Sequence, residues 1–183
     1  FAFDGAGNLY VGGSFATVGG MSASRIVRWN GRSWSALGSG VNGPVYALAL
    51  DRSGNLYVGG SITVAGAVSA NYVARWDGSS WSALGTGTGG PVTALAVDGS
   101  GNVYAGGIFT TAGGAPAGYI AKWDGSSWST LGAGVNNAVN ALAFDGAGKL
   151  YVGGNFTTAG GTSANRIAMW DGSTWTALGS GIN

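Results

Sequence analysis

The sequence contains no cysteine, no histidine and no glutamate. The absence of cysteine excludes disulfides, and the absence of cysteine and histidine together excludes the usual zinc sites. The lack of imidazole removes the side chain that most often transfers protons near neutral pH. We therefore expect a protein that is not an enzyme, with no catalytic residues, no metal site and no cofactor.

Charged residues are also scarce, at 8% of the chain, against about 25% in an average soluble protein. The net charge is +1 and no basic run occurs, so no binding to nucleic acid is expected. Apolar stretches such as Val45–Leu50 are far shorter than the about 20 residues that cross a membrane, so we expect no transmembrane segment. Because 45% of the residues are hydrophobic, the chain can form a core and disorder is not expected.

Glycine, by contrast, supplies 38 of the 183 residues, and the sequence repeats itself every 47 residues without insertion or deletion. Two tryptophan columns and one aspartate column keep this step. They are Trp29, Trp76, Trp123 and Trp170; Trp34, Trp81, Trp128 and Trp175; and Asp4, Asp51, Asp98 and Asp145. The repeat units are 1–42, which is truncated at its start, and 43–89, 90–136 and 137–183.

Each unit is predicted to contain four strands, which in the second unit are 45–50, 56–58, 72–76 and 81–84. A tight turn at 51–55, a longer loop at about 61–70 and the hairpin signal Asp77-Gly78 separate them. Such an antiparallel sheet cannot bury both of its faces alone, so neighbouring units must stack. Radial stacking of four-stranded sheets is a β-propeller.

The fold class is therefore predicted to be all-β, with β-propeller blades of four antiparallel strands per 47-residue repeat and four repeats in this chain. Small residues such as Ala47 and Ala49 suit the first strand to the crowded innermost position. The tryptophans lie on the outer strands, where diverging blades need large side chains. We assign both tryptophan columns to packing.

The unit resembles a kelch repeat, because a hydrophobic strand ends in Gly-Gly, as at 56–60, and after a loop an aromatic-Asp pair follows, as at Trp76-Asp77. It is still more similar to the glycine-rich, kelch-like repeats of bacterial surface proteins and of Rax2-type cortical polarity markers, whose Gly-Gly-x-Phe-Thr-x-Ala-Gly-Gly pattern occurs at 153–161. The resemblance implies propeller blades. Kelch rings usually have more than four blades, so residues 1–183 are expected to form one repeat domain of a longer chain or an oligomeric ring.

Three arrangements of these blades are open from the sequence. Four blades could close as a small ring, two chains could complete an eight-bladed ring, or the units could continue in a longer array. Either cut end of an open array would expose apolar blade surface and strand edges.

The carboxylates all fall in two repeated turn columns. One is the aspartate column that begins with Asp4. The other comprises Asp77, Asp124 and Asp171, with Asn30 in the first unit. Because asparagine can replace aspartate there, we expect these side chains to bond turn backbone amides rather than to transfer protons or bind metal.

One further column alternates in chemistry and borders the long loop between the second and third strands. That loop lies at the same rim as the connections between units, where kelch-like propellers usually place ligands. If a ligand site exists, this rim is where we would look first. The column comprises Arg25, Tyr72, Tyr119 and Arg166.

The composition and the repeats favour a non-catalytic structural or interaction module of an exported surface protein, located outside the cell or at its surface. It would act through self-association, adhesion or contacts with other surface proteins. The alternative is a glycan-binding, lectin-like propeller with one shallow site per blade, because sugars stack on tryptophan and tyrosine.

Overall fold

The computed structural model describes residues 1–182 and consists of strands and turns, with no helix in this range. Each repeat unit forms one four-stranded antiparallel sheet, here called a blade, together with one small hairpin of two short strands. The predicted all-β fold, with four strands in each of four repeats, is confirmed.

The strand bounds repeat from blade to blade. Blade 1 contains β1 (Ala2–Phe3), β2 (Leu9–Gly12), β3 (Thr17–Val18), β4 (Met21–Ser22), β5 (Ile26–Trp29) and β6 (Trp34–Ala36). Blade 2 contains β7 (Val45–Leu50), β8 (Leu56–Gly60), β9 (Val64–Ala65), β10 (Val68–Ser69), β11 (Val73–Trp76) and β12 (Trp81–Ala83). Blade 3 contains β13 (Val92–Val97), β14 (Val103–Gly107), β15 (Thr111–Ala112), β16 (Ala115–Pro116), β17 (Ile120–Trp123) and β18 (Trp128–Thr130). Blade 4 contains β19 (Val139–Phe144), β20 (Leu150–Gly154), β21 (Thr158–Ala159), β22 (Thr162–Ser163), β23 (Ile167–Trp170) and β24 (Trp175–Ala177).

The four main strands of each blade form a meander in which every strand pairs with its neighbour in the chain, apart from the inserted hairpin. In blade 2, β8 runs on through Gly59 and Gly60, two residues beyond the predicted end. The third strand begins at Val73 rather than at Tyr72, because Tyr72 takes a positive φ of 74°. The first strands β7, β13 and β19 lie side by side, as expected for innermost strands.

The hairpin inside the predicted long loop was not foreseen, and it links consecutive blades. The end of blade 1 runs beside the blade 2 hairpin, where Val41 bridges Ala65. The Asn42 side chain accepts hydrogen bonds from the backbone N–H groups of Thr63 and Val64 at 2.9 Å each. Asn136 makes the same contacts with Thr157 and Thr158 between blades 3 and 4.

The hydrophobic core lies between the blades rather than within one. Each of three buried clusters joins one face of a blade to the opposite face of the next blade. The cluster between blades 3 and 4, for example, brings Tyr104 and Ile120 against Val139 and Leu150. Each interior blade thus depends on both neighbours for burial of its two faces.

The first glycine of each Gly-Gly pair allows this close approach. A Cβ placed on Gly106 would lie 2.4 Å from Cγ1 of Val139 in the next blade, and Gly12 and Gly59 meet Val45 and Val92 in the same way. The equivalent Gly153 in blade 4 has only Ala141 and the Arg166 backbone of its own blade within 4 Å. Within residues 1–182, therefore, blade 1 does not close onto blade 4.

No helix in residues 1–182 has the length and apolar character needed to cross a membrane.

We predict that Gly106→Ala lowers the free energy of unfolding by about 1–3 kcal/mol, because the added methyl group overpacks the junction with Val139. The matched variant Gly153→Ala is expected to change it by less than about 0.5 kcal/mol, since its nearest neighbour is 3.7 Å away. Denaturant titration of dilute, monomeric protein measures both values. Equal losses in the two variants would contradict the role of the glycine in blade stacking.

Candidate functional site

The outward face of blade 4, here called the exit face, comprises Ala141, Ala143, Tyr151, Gly153, Ile167 and Leu178. The equivalent residues of blades 1 to 3 pack against a following blade. Leu37, Leu84 and Leu131, for example, are at most 2% exposed, whereas Leu178 is only half-buried. Several residues of this face line an apolar cavity of about 180 Å³.

The opposite face of blade 1, here called the entry face, comprises Phe1, Phe3, Leu9, Val11, Phe15 and Trp34. Phe3 is 63% exposed, although its equivalents Leu50, Val97 and Phe144 pack against the preceding blade. Leu9 is half-buried, although its equivalents are fully buried. The exit face thus corresponds to the surface that the preceding blade contributes to an interior junction. The entry face corresponds to the surface that the following blade contributes.

The two tryptophans of each blade lie beside each other, and the second one also bonds the preceding blade, which the sequence did not indicate. The two rings of each blade lie with centroids 5.1–5.6 Å apart. The indole Nε1–H of Trp81 donates to the Leu37 carbonyl at 2.9 Å, and Trp128 and Trp175 donate equivalently to Leu84 and Leu131. The second tryptophan of blades 2, 3 and 4 therefore hydrogen-bonds the preceding blade.

Two equivalent grooves, here called the tryptophan grooves, run beside the ring pairs of blades 3 and 4. Their volumes are about 290 and 270 Å³. Glycine and small residues at the end of the preceding blade form one wall, and the turn after the first tryptophan forms the other. The lining residues include Gly85, Thr86, Ala115, Trp123, Ser127 and Trp128 in blade 3, and Gly132, Ala133, Thr162, Trp170, Thr174 and Trp175 in blade 4.

The column at the rim, here called the rim column, lies where each hairpin returns to the third strand. It comprises Arg25, Tyr72, Tyr119 and Arg166. All four members have φ between 60° and 74°, the left-handed region that side chains other than glycine rarely adopt. Their backbone groups are used internally: Tyr72 donates its N–H to Ile62 and accepts from Gly60. The Arg25 guanidinium donates to the Val41 carbonyl at 3.3 Å, and that of Arg166 to Ile182 at 3.4 Å. The proposed ligand role of Arg25, Tyr72, Tyr119 and Arg166 stays a prediction.

Both aspartate columns bond turn backbone. Asp51 accepts from the N–H groups of Ser53 and Asn55, and Asp4, Asp98 and Asp145 do so in their own turns. Asp124 accepts from the N–H and hydroxyl groups of Ser126 and Ser127. Asn30 accepts from Arg32 and Ser33 in the equivalent turn of blade 1. Among residues 1–182 no three acidic side chains come together as a metal site.

These contacts define an array of β-propeller blades. Residues 1–138 match the family model of the Rax2 C-terminal β-propeller domain, and the chain belongs to that family. Residues 148–168 match the model of a second β-propeller domain, DUF5122, whose function is unknown. The sequence-based resemblance to Rax2-type propeller repeats is thus confirmed. No curated protein matches the chain.

Solved propeller structures share the fold at low identity. One is the extracellular domain of a B. thetaiotaomicron protein described as a one-component system, with 13% identity, a TM-score of 0.57 and 92% of this chain covered. Another is YCF48 bound to a D1 peptide, with 19% identity, a TM-score of 0.51 and 82% of this chain covered. The chain spans 20% of the first structure and 45% of the second.

The hydrogen bonds of the second aspartate column predict that the folded protein becomes less stable in acid. Backbone N–H groups, and then side-chain hydroxyls, hold the pKa of Asp77, Asp124 and Asp171 well below the ordinary value of 3.8. Because the folded-state pKa is depressed, their contribution is complete above about pH 4 and is lost as the pH falls through the folded-state values. The melting temperature is therefore expected to fall below about pH 4.

Replacing all three aspartates by asparagine should make that fall shallower, because an amide cannot be protonated in this range and Asn30 already supports the same turn. Melting followed by tryptophan fluorescence from pH 7 to pH 2.5 provides the comparison. If the melting temperature falls equally steeply with pH in both proteins, protonation of this aspartate column is not the cause of the loss of stability in acid.

Proposed function

We propose that this chain is a non-catalytic interaction module that associates head to tail, with the exit face of one copy packed on the entry face of another. The observation that carries the proposal is that these two faces present the same kinds of residue as the two sides of the interior junctions, although the position equivalent to Val45, Val92 and Val139 lies before Phe1. Burying exposed apolar surface supplies the driving force. A second copy brings Phe3, Leu9 and Trp34, whose equivalents pack at the three interior junctions.

The contacts at the interior junctions indicate which residues would meet between two copies. Tyr104 of blade 3 meets Phe144 of blade 4 edge to face, with ring centroids 5.1 Å apart. Tyr151, one repeat after Tyr104, is its equivalent on the exit face. Phe3, three repeats before Phe144, is its equivalent on the entry face. By the same shift, the Trp34 indole of the incoming copy is positioned to donate to the Leu178 carbonyl, as Trp81 donates to Leu37.

Head-to-tail contacts of this kind are heterologous, since two different surfaces meet. Such contacts close into a ring when the rotation between subunits permits, and otherwise continue as a filament. Both outcomes leave the entry and exit faces buried, and the angle between copies selects one of them.

A non-catalytic role is supported by the composition, because the chain has no histidine, cysteine or glutamate. The aspartates of the two turn columns are engaged with their turns, as described above. We place the protein outside the cell or at its surface. That location is supported by the extracellular domain among the structural neighbours. Contact with other proteins is supported by the peptide that YCF48 binds.

The experiment uses one blocking substitution on each face. Phe3→Asp places a charge on the entry face, and Ala143→Asp places one on the exit face; both positions are exposed, so the fold should tolerate the changes. Ile108→Asp is the matched control, because Ile108 is 57% exposed and lies outside both faces. Molar mass is measured by light scattering over a concentration series.

The wild type and the Ile108→Asp control should form oligomers, and each blocked variant alone should stay monomeric. An equimolar mixture of the two blocked variants should form a 1:1 dimer and nothing larger, because one intact entry face and one intact exit face remain. A wild type that is monomeric at every concentration, or oligomers that survive both substitutions, would contradict head-to-tail association.

A further inference from the structure

We propose that the two tryptophan grooves are binding sites for neutral pyranose sugars. This inference concerns surfaces outside the entry and exit faces and does not rest on head-to-tail association. It also assigns the aromatic groove, rather than the rim column, as the place where a sugar binds.

The chemistry of the grooves is aromatic and polar without free charge. Trp123 and Trp128 are part-exposed, as are Trp170 and Trp175, so each groove presents indole surface to solvent. The C–H groups of a pyranose ring carry partial positive charge and stack on the electron-rich face of an aromatic ring. A groove that offers indole next to hydroxyl groups therefore suits a molecule with one C–H face and a polar edge.

The nearest carboxylate does not select a cation. In blade 3, Asp124 accepts three hydrogen bonds at Oδ1 and one at Oδ2, all from its own turn. The Ser127 hydroxyl donates to Asp124, so its oxygen is still able to accept a hydrogen bond from a ligand hydroxyl. The lining carries no lysine or arginine that would favour a phosphate or sulfate.

Groove size restricts the ligand to a small unit. Volumes of about 290 and 270 Å³ fall at or below the lower end of the about 300–1,000 Å³ typical of drug-sized ligands. One sugar ring fits such a space, and its neighbours in an oligosaccharide would extend into solvent. We therefore expect weak binding of a single ring, with a dissociation constant of about a millimolar.

Blade 2 provides a natural comparison, because its equivalent tryptophan is buried and the residue at the start of its second hairpin strand is larger. The residue at the start of β10 is Val68, which is half-buried, whereas its equivalents Ala115 and Thr162 are exposed. Trp81 is only 8% exposed, whereas Trp128 and Trp175 remain part-exposed. In blades 2 to 4, the tryptophan is less exposed where this residue is valine than where it is alanine or threonine, which makes the position the target for substitution.

The test titrates the protein with methyl β-D-galactopyranoside and methyl β-D-glucopyranoside, and follows the indole N–H signals of the eight tryptophans by NMR. At least one sugar should shift the signals of blades 3 and 4 saturably, giving two equivalent sites per chain. The double variant Ala115→Val, Thr162→Val copies blade 2 and should weaken binding more than tenfold. Ala147→Val, an exposed turn position, is the matched control and should bind like the wild type.

The variant Val68→Ala should uncover Trp81 and add a third site, a gain that a misfolded protein cannot mimic. The proposal is overturned if neither sugar produces a saturable shift, or if binding persists in the double valine variant. It is also overturned if Val68→Ala adds no site, or if these grooves bind a peptide while ignoring both sugars.

Discussion

The whole structure depends on a glycine backbone at which the next blade can lie in direct contact. Val45, Val92 and Val139 each occupy the space that a side chain would take at the first glycine of the preceding Gly-Gly pair. This approach places the core between blades, so no blade buries both of its faces alone. The high glycine content is a consequence of this packing as much as of the turns.

The same constraint explains why, within residues 1–182, the outward faces of blades 1 and 4 expose apolar side chains. Because the units recur every 47 residues, each blade presents the same two kinds of face, and within residues 1–182 blades 1 and 4 each keep one of them exposed. Phe3 and Gly153 occupy repeat positions whose equivalents pack against a neighbouring blade, and within residues 1–182 neither of them has such a neighbour. The proposed association between copies therefore uses the same kinds of contact that fold the chain.

Much of the fold could be predicted from the sequence, because strand patterning, turn residues and the period all indicate the same architecture. The engagement of Asp51 and Asp124 with their turns follows from local chemistry that acts over a few residues. The hairpin of β9 and β10 was missed because two-residue strands carry no periodic signal. The tryptophan grooves were missed because Val68 and Ala115 differ in a way that matters only beside an indole from another strand.

The central claim is that copies associate through the same two kinds of face that pack between blades, and imaging of the assembled protein by electron cryo-microscopy tests it most directly. The account predicts uniformly spaced blades, with blade 4 of one copy followed by blade 1 of the next and Phe3 against Tyr151. A particle in which blades 1 and 4 of a single chain pack on each other would contradict it. So would copies joined through other surfaces while their entry and exit faces remain exposed.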